Sequence, residues 1–208
     1  MTSLPIAAGK VQLREKRLQD APEDYAWRCD EELATLDATT PLRQPYDEFL
    51  RSYEETLLYP SPWSERFAID TLDGRHIGNC MCYDINTAYG EAEVGIMIGD
   101  RDYWSKGYGY HSMVALVDHM FTETSLRKLY LHTLEWNNRA RKSFEKCGFV
   151  VIRTVSRYGL RLTRMELPRA RWLQIREERL ADLRQGRTRA SNGTSPTSHE
   201  TGGKPPLT

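Results

Sequence analysis

Two glycines one residue apart, Gly107 and Gly109, lie where one apolar run gives way to another. Glycine lets the backbone approach a bound group closely and adopt angles that other residues avoid. The first turn of a helix has backbone N–H groups without partners inside the helix, and the helix dipole adds partial positive charge there. Together these features predict a cradle for a phosphate or pyrophosphate, to which Lys106 adds a cation. The alternative is that the glycines only permit a tight turn between a strand and a helix.

Two common phosphate-binding motifs are excluded. No Gly-Lys-Ser/Thr follows the glycines, so the stretch is not a P-loop. Ser112 stands where a dinucleotide-binding fingerprint requires its third glycine. No Cys/His spacing typical of a metal site occurs, so we expect no metal.

Composition limits the class of protein. The 208 residues have no net charge and are 39% hydrophobic, which predicts one substantial α/β domain and argues against a nucleic-acid or membrane-surface role. The four cysteines do not form the pattern of a disulfide framework, and Cys80 and Cys82 are expected to be core thiols on one face of a strand. The N-terminus does not resemble a signal peptide, and no apolar run approaches the roughly 20 residues of a transmembrane helix. We therefore expect a cytoplasmic protein.

The elements that position the glycines are predicted from periodicity and turn signals. A nearly continuous apolar strand covers 92–98, and a helix with an apolar face follows the glycines. A strand at 128–134 then leads to a helix at 137–146, with Asn137 as its N-cap and Gly148 at its end. Upstream, the predicted elements are a strand at 11–14 and helices at 20–33 and 46–58, the first with Asp20 as its N-cap. A hairpin joins 63–71 to 75–85 around the turn at Asp73-Gly74.

The C-terminal part of the chain has three predicted segments. A hairpin joins 149–156 to 160–167, and a charged amphipathic helix follows from Pro168 to Arg184. Its apolar residues are Trp172, Leu173, Ile175, Leu180 and Leu183. From about Arg187 the sequence is rich in Gly, Ser, Thr and Pro, which predicts disorder. The whole pattern favours a mixed α/β sandwich rather than a doubly wound sheet.

Three motifs in order resemble the GNAT superfamily of acetyl-CoA-dependent N-acyltransferases, in its RimJ/RimL-like branch of ribosomal-protein N-terminal acetyltransferases. Glu93-Val94-Gly95-Ile96 resembles the acid-apolar-Gly strand of that branch. Trp104-Ser105-Lys106-Gly107-Tyr108-Gly109 resembles its pyrophosphate loop, with Trp104 where many relatives have Arg or Gln. The helix from Asn137 through Phe144 to Gly148-Phe149 resembles the one beside the pantetheine arm. The resemblance extends over residues 10–167.

The resemblance implies a fold and a cofactor site. The fold would be a central, mostly antiparallel twisted sheet with a V-shaped split between two central strands and helices on both faces. Acetyl-CoA would lie in that split, with its pantetheine along the backbone of Ile96, Met97 and Ile98 and beside Phe144. Its pyrophosphate would rest on the amides of Ser105 to Gly109, and Asn137 would orient the pantetheine or a water.

The resemblance also implies direct transfer of the acetyl group to a primary amine, without a covalent enzyme intermediate. Glu93 is the candidate base, acting directly or through a water, and Glu91 shares its face if the strand is regular. Many relatives have a tyrosine acid where this chain has Phe144, which cannot donate a proton. Ser143 is adjacent and is a candidate to help protonate the departing thiolate, although a helix-surface serine is the plainer interpretation.

The sequence leaves the acceptor and the choice between two functions open. The acceptor is a protein N-terminus or a small-molecule amine, and its site is expected from residues 20–58 and 153–163, with Trp27, Tyr46, Tyr53 and Tyr158 as candidate lining residues. The alternative function is a catalytically silent acyl-CoA-binding sensor or scaffold, which Phe144 favours. The predicted organisation is a GNAT-type domain over 1–167, an amphipathic helix over 168–186 that is a candidate homodimerisation element, and a disordered tail over 187–208.

Overall fold

The computed structural model describes residues 4–191, with side chains described through residue 185. Eight strands form one sheet in the order β1-β2-β3-β4-β5-β6-β8-β7. They are β1 Ile6–Ala8, β2 Val11–Glu15, β3 Glu65–Thr71, β4 His76–Asn86, β5 Glu91–Ile98, β6 Lys128–Leu134, β7 Val150–Arg157 and β8 Leu160–Pro168. Neighbouring strands are antiparallel except β5 and β6, which are parallel. The predicted fold class, a mixed α/β fold around a mostly antiparallel sheet, is confirmed.

Helices cover both faces of the sheet. They are α1 Ala21–Cys29, α2 Glu31–Leu36, α3 Tyr46–Leu58, α4 Tyr108–Glu123, α5 Asn138–Cys147 and α6 Arg169–Ser191. Side chains alternate across a strand, and Ala92, Val94, Leu129 and Leu131 belong to the core that packs on α4. The intervening residues of β5 and β6 therefore face the other side of the sheet, where Met97 meets residues of α1 and α2.

Most of the predicted elements are confirmed. The helix α3, the strand β6 and the hairpin around Asp73-Gly74 lie where the sequence places them. Asn137 caps α5 by accepting a hydrogen bond from the Ala140 amide at 3.1 Å, and Gly148 ends this helix with a φ of 116°, in the left-handed region that suits glycine.

The prediction of one helix over 20–33 is wrong in two respects. The helix breaks at Asp30, whose side chain accepts from the Leu33 amide and starts α2. Asp20 precedes α1 but does not cap it with its side chain. Its carboxylate instead binds the Arg14 guanidinium, and this ion pair ties the start of α1 to the sheet.

The C-terminal helix α6 packs against the chain's own core. Trp172 is fully buried and donates to Asp118 of α4 at 3.3 Å, and Leu183 is buried near the other end. The inclusion of Leu173 in the apolar face is wrong, because 62% of this residue is exposed. The backbone of α6 runs to Ser191, past the predicted start of disorder, and the rest of that predicted tail lies outside the described residues. Dimerisation through this helix stays a prediction.

No helix within residues 4–191 combines the length and the apolar character needed to cross a bilayer. Within the same residues, no group of three or more His, Cys, Asp and Glu side chains is arranged to hold a metal ion.

Candidate active site

A cleft opens where β5 and β6 separate. The two strands pair only from Glu91 to Glu93 with Lys128 to Tyr130, and they diverge beyond that point. The cleft holds a cavity of about 490 Å³. This is the predicted V-shaped split.

The glycine loop lies along one side of this cavity. Gly107 has a φ of 88° and Ser105 a φ of 56°, so the chain turns through left-handed conformations just before α4. Among the described residues, no backbone carbonyl accepts a hydrogen bond of ordinary geometry from the amides of Ser105 to Tyr110. Six consecutive N–H groups are thus left for a ligand or for water, as a phosphate cradle requires.

Trp104 fastens the loop to the end of β5. Its indole N–H donates to the carbonyl of Ile98 at 2.6 Å, and the guanidinium of Arg139 lies 4.1 Å from the centre of its ring. The tryptophan therefore fixes the distance between the loop and the cleft strand and also carries a cation at the cavity wall.

The predicted cofactor residues are largely brought together. The cavity is lined by Ile96, Met97, Ile98, Trp104, Ser105, Gly107, Gly109, Asn137, Ser143 and Phe144. Lys106 and Tyr108 are not among the lining residues. The Tyr108 ring packs edge-on against Tyr103, with centroids 4.9 Å apart, and the Lys106 carbonyl accepts from the Lys10 ammonium at 3.1 Å. Both residues belong to the loop, but their side chains do not form the cavity wall.

Glu93 is paired with a histidine that the sequence analysis did not select. Oε1 of Glu93 lies 2.7 Å from Nδ1 of His132, and each side chain is only 6% exposed. Both side chains lie on the face of the sheet opposite α4, and both line the cavity. The sequence carries part of this signal, because His132 alternates with the core residues Leu131 and Thr133 of β6. The parallel pairing of β5 with β6, which brings the two together, cannot be seen in the sequence.

Two neighbours complete the surroundings of Glu93. Tyr83 of β4 lines the cavity, and burial, together with the charge and hydrogen bond of Glu93, raises the pKa of its phenol. Glu91 does not form a carboxylate pair with Glu93, because its side chain binds the Lys128 ammonium at 3.0 Å. Glu93 is therefore a single carboxylate that contacts an imidazole, and the Tyr83 phenol lines the same cavity.

The opposite wall comes from α5. Phe144 lines the cavity and is largely buried, and Ser143 lines it one residue earlier. The side-chain oxygen Oδ1 of Asn137 accepts the hydrogen bond that caps the helix. This wall contains an apolar ring where the resemblance implies a tyrosine.

The wall expected to hold the acceptor is only partly the predicted one. Leu33, Leu36 and Asp37 line the cavity from α2 and its C-terminal end, and Tyr158 lines it from the turn between β7 and β8. The other three predicted aromatics are absent from this lining: Trp27 packs against His76, Tyr46 against Tyr25, and Tyr53 donates to Asp24. These three position the helices.

The thiols are expected to differ sharply in reactivity. Cys80, Cys82 and Cys147 are buried, and burial raises their pKa values, that of Cys82 to about 12, whereas Cys29 is half-buried. A disulfide reagent at neutral pH should therefore modify one thiol per native chain quickly, and the other three only after denaturation. Cys29→Ser is the matched control, and fast modification of any thiol in this variant would contradict the burial of the other three.

Comparison with known proteins identifies the family. The acetyltransferase (GNAT) domain model matches residues 10–150. The chain is similar to the spermidine N(1)-acetyltransferase of Vibrio cholerae, with 32% identity over 85 residues, which are 41% of this chain and 49% of that protein. The chain is also similar to the spermidine N(1)-acetyltransferase of Escherichia coli K12, with 30% identity over 108 residues, which are 52% of this chain and 58% of that protein. The chain thus spans about half the length of the curated relatives it matches.

Solved structures show the same fold. A spermidine N-acetyltransferase from Vibrio cholerae in complex with CoA and spermine has a TM-score of 0.71 at 22% identity, with 79% of this chain and 98% of that one covered. An aminoglycoside acetyltransferase in complex with coenzyme A has a TM-score of 0.67 at 20% identity, with 80% and 99% covered. At these identities the likeness concerns the fold alone. The match to the family model covers most of the chain, and the protein belongs to the GNAT acetyltransferase family.

Proposed function

We propose that this chain is an acetyl-CoA-dependent N-acetyltransferase that transfers an acetyl group to a primary amine. The observation that carries the proposal is one cavity that contains both the unpartnered amides of the glycine loop and the Glu93–His132 pair. The first feature suits a diphosphate and the second suits removal of a proton. A cavity with both is suited to bring a phosphorylated acyl donor and an amine together.

Acetyl-CoA, when bound, supplies an acetyl group activated as a thioester. The residues present fit it: the amides of Ser105 to Tyr110 would bind the pyrophosphate, and the cavity edge of β5 at Ile96 to Ile98 would hold the pantetheine. The Phe144 ring would form an apolar side of that channel. A backbone N–H of β5 is our candidate for polarising the thioester carbonyl.

Proton removal is assigned to the Glu93–His132 pair. An amine attacks only in its deprotonated form, and Glu93 was selected on that ground from the sequence. The buried cysteines do not line the cavity, which supports direct attack by the amine rather than a thiol intermediate. Ser143 and Asn137 are proposed to orient a water near the departing sulfur.

Two kinds of primary amine are candidate acceptors, and each is supported by a different resemblance. The similarity to spermidine N(1)-acetyltransferases makes spermidine the first amine to test. The finer resemblance to the RimJ/RimL-like branch makes a peptide α-amine the second. Among the described lining residues, Glu93 and Asp37 are the only carboxylates, and two arginines, Arg139 and Arg157, lie on the same cavity. Arg139 stacks on Trp104 beside the glycine loop, where the pyrophosphate of the donor would lie, so the acceptor panel decides between the two amines.

A second candidate function is a silent acyl-CoA-binding module. The specific observation in its favour is Phe144, which leaves that position of the α5 wall without a proton donor. A thiolate is a tolerable leaving group, because a thiol has a pKa of ~8.5, so water can protonate it afterwards. We therefore prefer the enzyme. We also propose a cytoplasmic location, which the four unpaired cysteines support.

An acceptor panel tests the function. The full chain is incubated with acetyl-CoA and, separately, with spermidine, an aminoglycoside and short peptides with free α-amines, and release of the coenzyme A thiol is followed at pH 7. We expect multiple turnovers with at least one primary amine and none with its fully N-acetylated form. Binding of coenzyme A by calorimetry without thiol release on any amine would support the silent module instead. No binding at all would overturn both.

A further inference from the structure

The Glu93–His132 pair has a defined direction. An ionised carboxylate can only accept hydrogen bonds, so the 2.7 Å contact to Nδ1 requires the proton on that nitrogen. In the neutral imidazole Nε2 then carries the free lone pair. No described residue hydrogen-bonds to this Nε2, and it is not one of the buried polar atoms without a partner. It therefore stays open to the cavity.

Glu93 itself is poorly placed to take a proton from a substrate. One of its oxygens is bound to His132, and the charge of the same carboxylate also acts on the nearby Tyr83 phenol. A free imidazole, with a pKa of ~6.5, is also better matched to proton transfer near neutral pH than a free carboxylate, with a pKa of ~4.3. The free Nε2 and the match in proton affinity both favour the imidazole as the group in contact with the amine.

We propose that His132 is the base that accepts the proton of the attacking amine, and that Glu93 is a positioning residue that fixes the tautomer and orientation of the imidazole. The inference rests on the proposed acetyl transfer and names the group that performs its proton step. The charged and titratable groups that surround the imidazole are Glu93 from β5, Tyr83 from β4, Tyr130 from β6 and Arg164 from β8. The Arg164 guanidinium is bound to Glu166 at 2.9 Å. Glu93 is the carboxylate that contacts the imidazole.

The step balances in atoms and electrons. The amine nitrogen forms a bond to the acetyl carbon, the carbon–sulfur bond breaks, and sulfur leaves with the electron pair as a thiolate. The nitrogen's proton moves to Nε2 of His132. The imidazolium then returns that proton to the thiolate or to water, which supplies the acid that Phe144 cannot provide.

The test compares amines that need a base with a nucleophile that does not. Wild type, His132→Asn and His132→Gln are assayed with the fastest amine of the panel and with hydroxylamine, which is already deprotonated at neutral pH. For the amine, we expect kcat to fall about 100-fold or more, with the acetyl-CoA KM unchanged. For hydroxylamine, the loss should stay within about 10-fold. The acid limb of the pH–rate profile should disappear in both variants.

Controls separate this inference from a structural role. His119 also contacts a carboxylate, Glu65 at 3.2 Å, but it lies outside the cavity, so His119→Asn should retain the wild-type kcat. Glu93→Gln should shift the acid limb, because the imidazole loses the charge of its partner, and it should lose less activity than His132→Asn. Equal loss on both nucleophiles, a retained acid limb, or a larger loss in Glu93→Gln would overturn the assignment. If wild type binds coenzyme A but acetylates no amine, the proposed function fails, and the assignment falls with it.

Discussion

Gly109→Val is expected to weaken coenzyme A binding by about 10- to 100-fold without destabilising the fold. A β-carbon at Gly109 would meet only Ile98, at 3.8 Å, which is an ordinary contact, and the helical backbone there does not require glycine. In the complex, however, branched methyl groups would stand between the loop amides and the pyrophosphate. Loss of one hydrogen bond to a charged group is worth about 1.5–3 kcal/mol, which corresponds to that range. Calorimetry with coenzyme A and a denaturant titration measure the two quantities.

Gly107→Ala is the matched control for this experiment. Gly107 has a φ of 88°, and an added β-carbon would meet only the His111 ring at 3.9 Å, an ordinary contact, so it costs about 1–2 kcal/mol of backbone strain and causes no clash. If the glycines only permit a bend, Gly107→Ala lowers the stability and Gly109→Val leaves coenzyme A affinity intact. That outcome would remove the phosphate cradle and, with it, the acyl donor.

The features that were predicted correctly depend on neighbours in sequence. The cap of Asn137, the end of α5 at Gly148 and the turn at Asp73-Gly74 follow from backbone angles and local hydrogen bonds that the residue types dictate. The loop before α4 is of the same kind, and its residues could be selected before any coordinates were known. Caps and turns that depend on neighbouring residues can therefore be predicted from the sequence.

The features that were missed depend on contacts between different elements of the fold. His132 becomes a site residue because β6 lies parallel to β5 for only three residues and then leaves it. Asp20 has the residue type of a helix cap, but Arg14 of β2 binds its side chain instead. Trp27 and Tyr53 have residue types that are common in ligand pockets. Trp27 instead packs against His76 of β4, and Tyr53 of α3 donates to Asp24 of α1. In each case a partner on another element of the fold decides the role.

Arg14→Met is expected to lower the free energy of unfolding by about 3–5 kcal/mol. Arg14 lies between Asp20 and Asp70, with contacts of 2.7 and 2.6 Å, and all three side chains are almost fully buried. Removing the cation leaves the two carboxylates buried without it, which is the costly way to break a buried ion pair. Arg43→Met is the control, because the Arg43–Glu31 pair is exposed and should contribute about 0–1 kcal/mol. Denaturant unfolding at pH 7 compares the two.

The pH dependence of that loss identifies its cause. Burial alone would raise the pKa of Asp20, but hydrogen bonds from Arg14 and the Arg17 amide outweigh it and hold the pKa below its ordinary value. A carboxyl whose pKa is depressed by folding stabilises the protein above its unfolded pKa of ~3.9, and this contribution is lost as the pH falls further. Without Arg14 the carboxyl can take up a proton instead of remaining an unpaired charge. The unfolded state contributes equally to both proteins, so the gap between wild type and Arg14→Met should shrink as the pH falls below neutral, because the buried carboxyls of the variant take up protons before those of wild type do. A gap that stays constant from pH 7 to pH 2 would show that the packing of the Arg14 side chain, not its charge, stabilises α1 against the sheet.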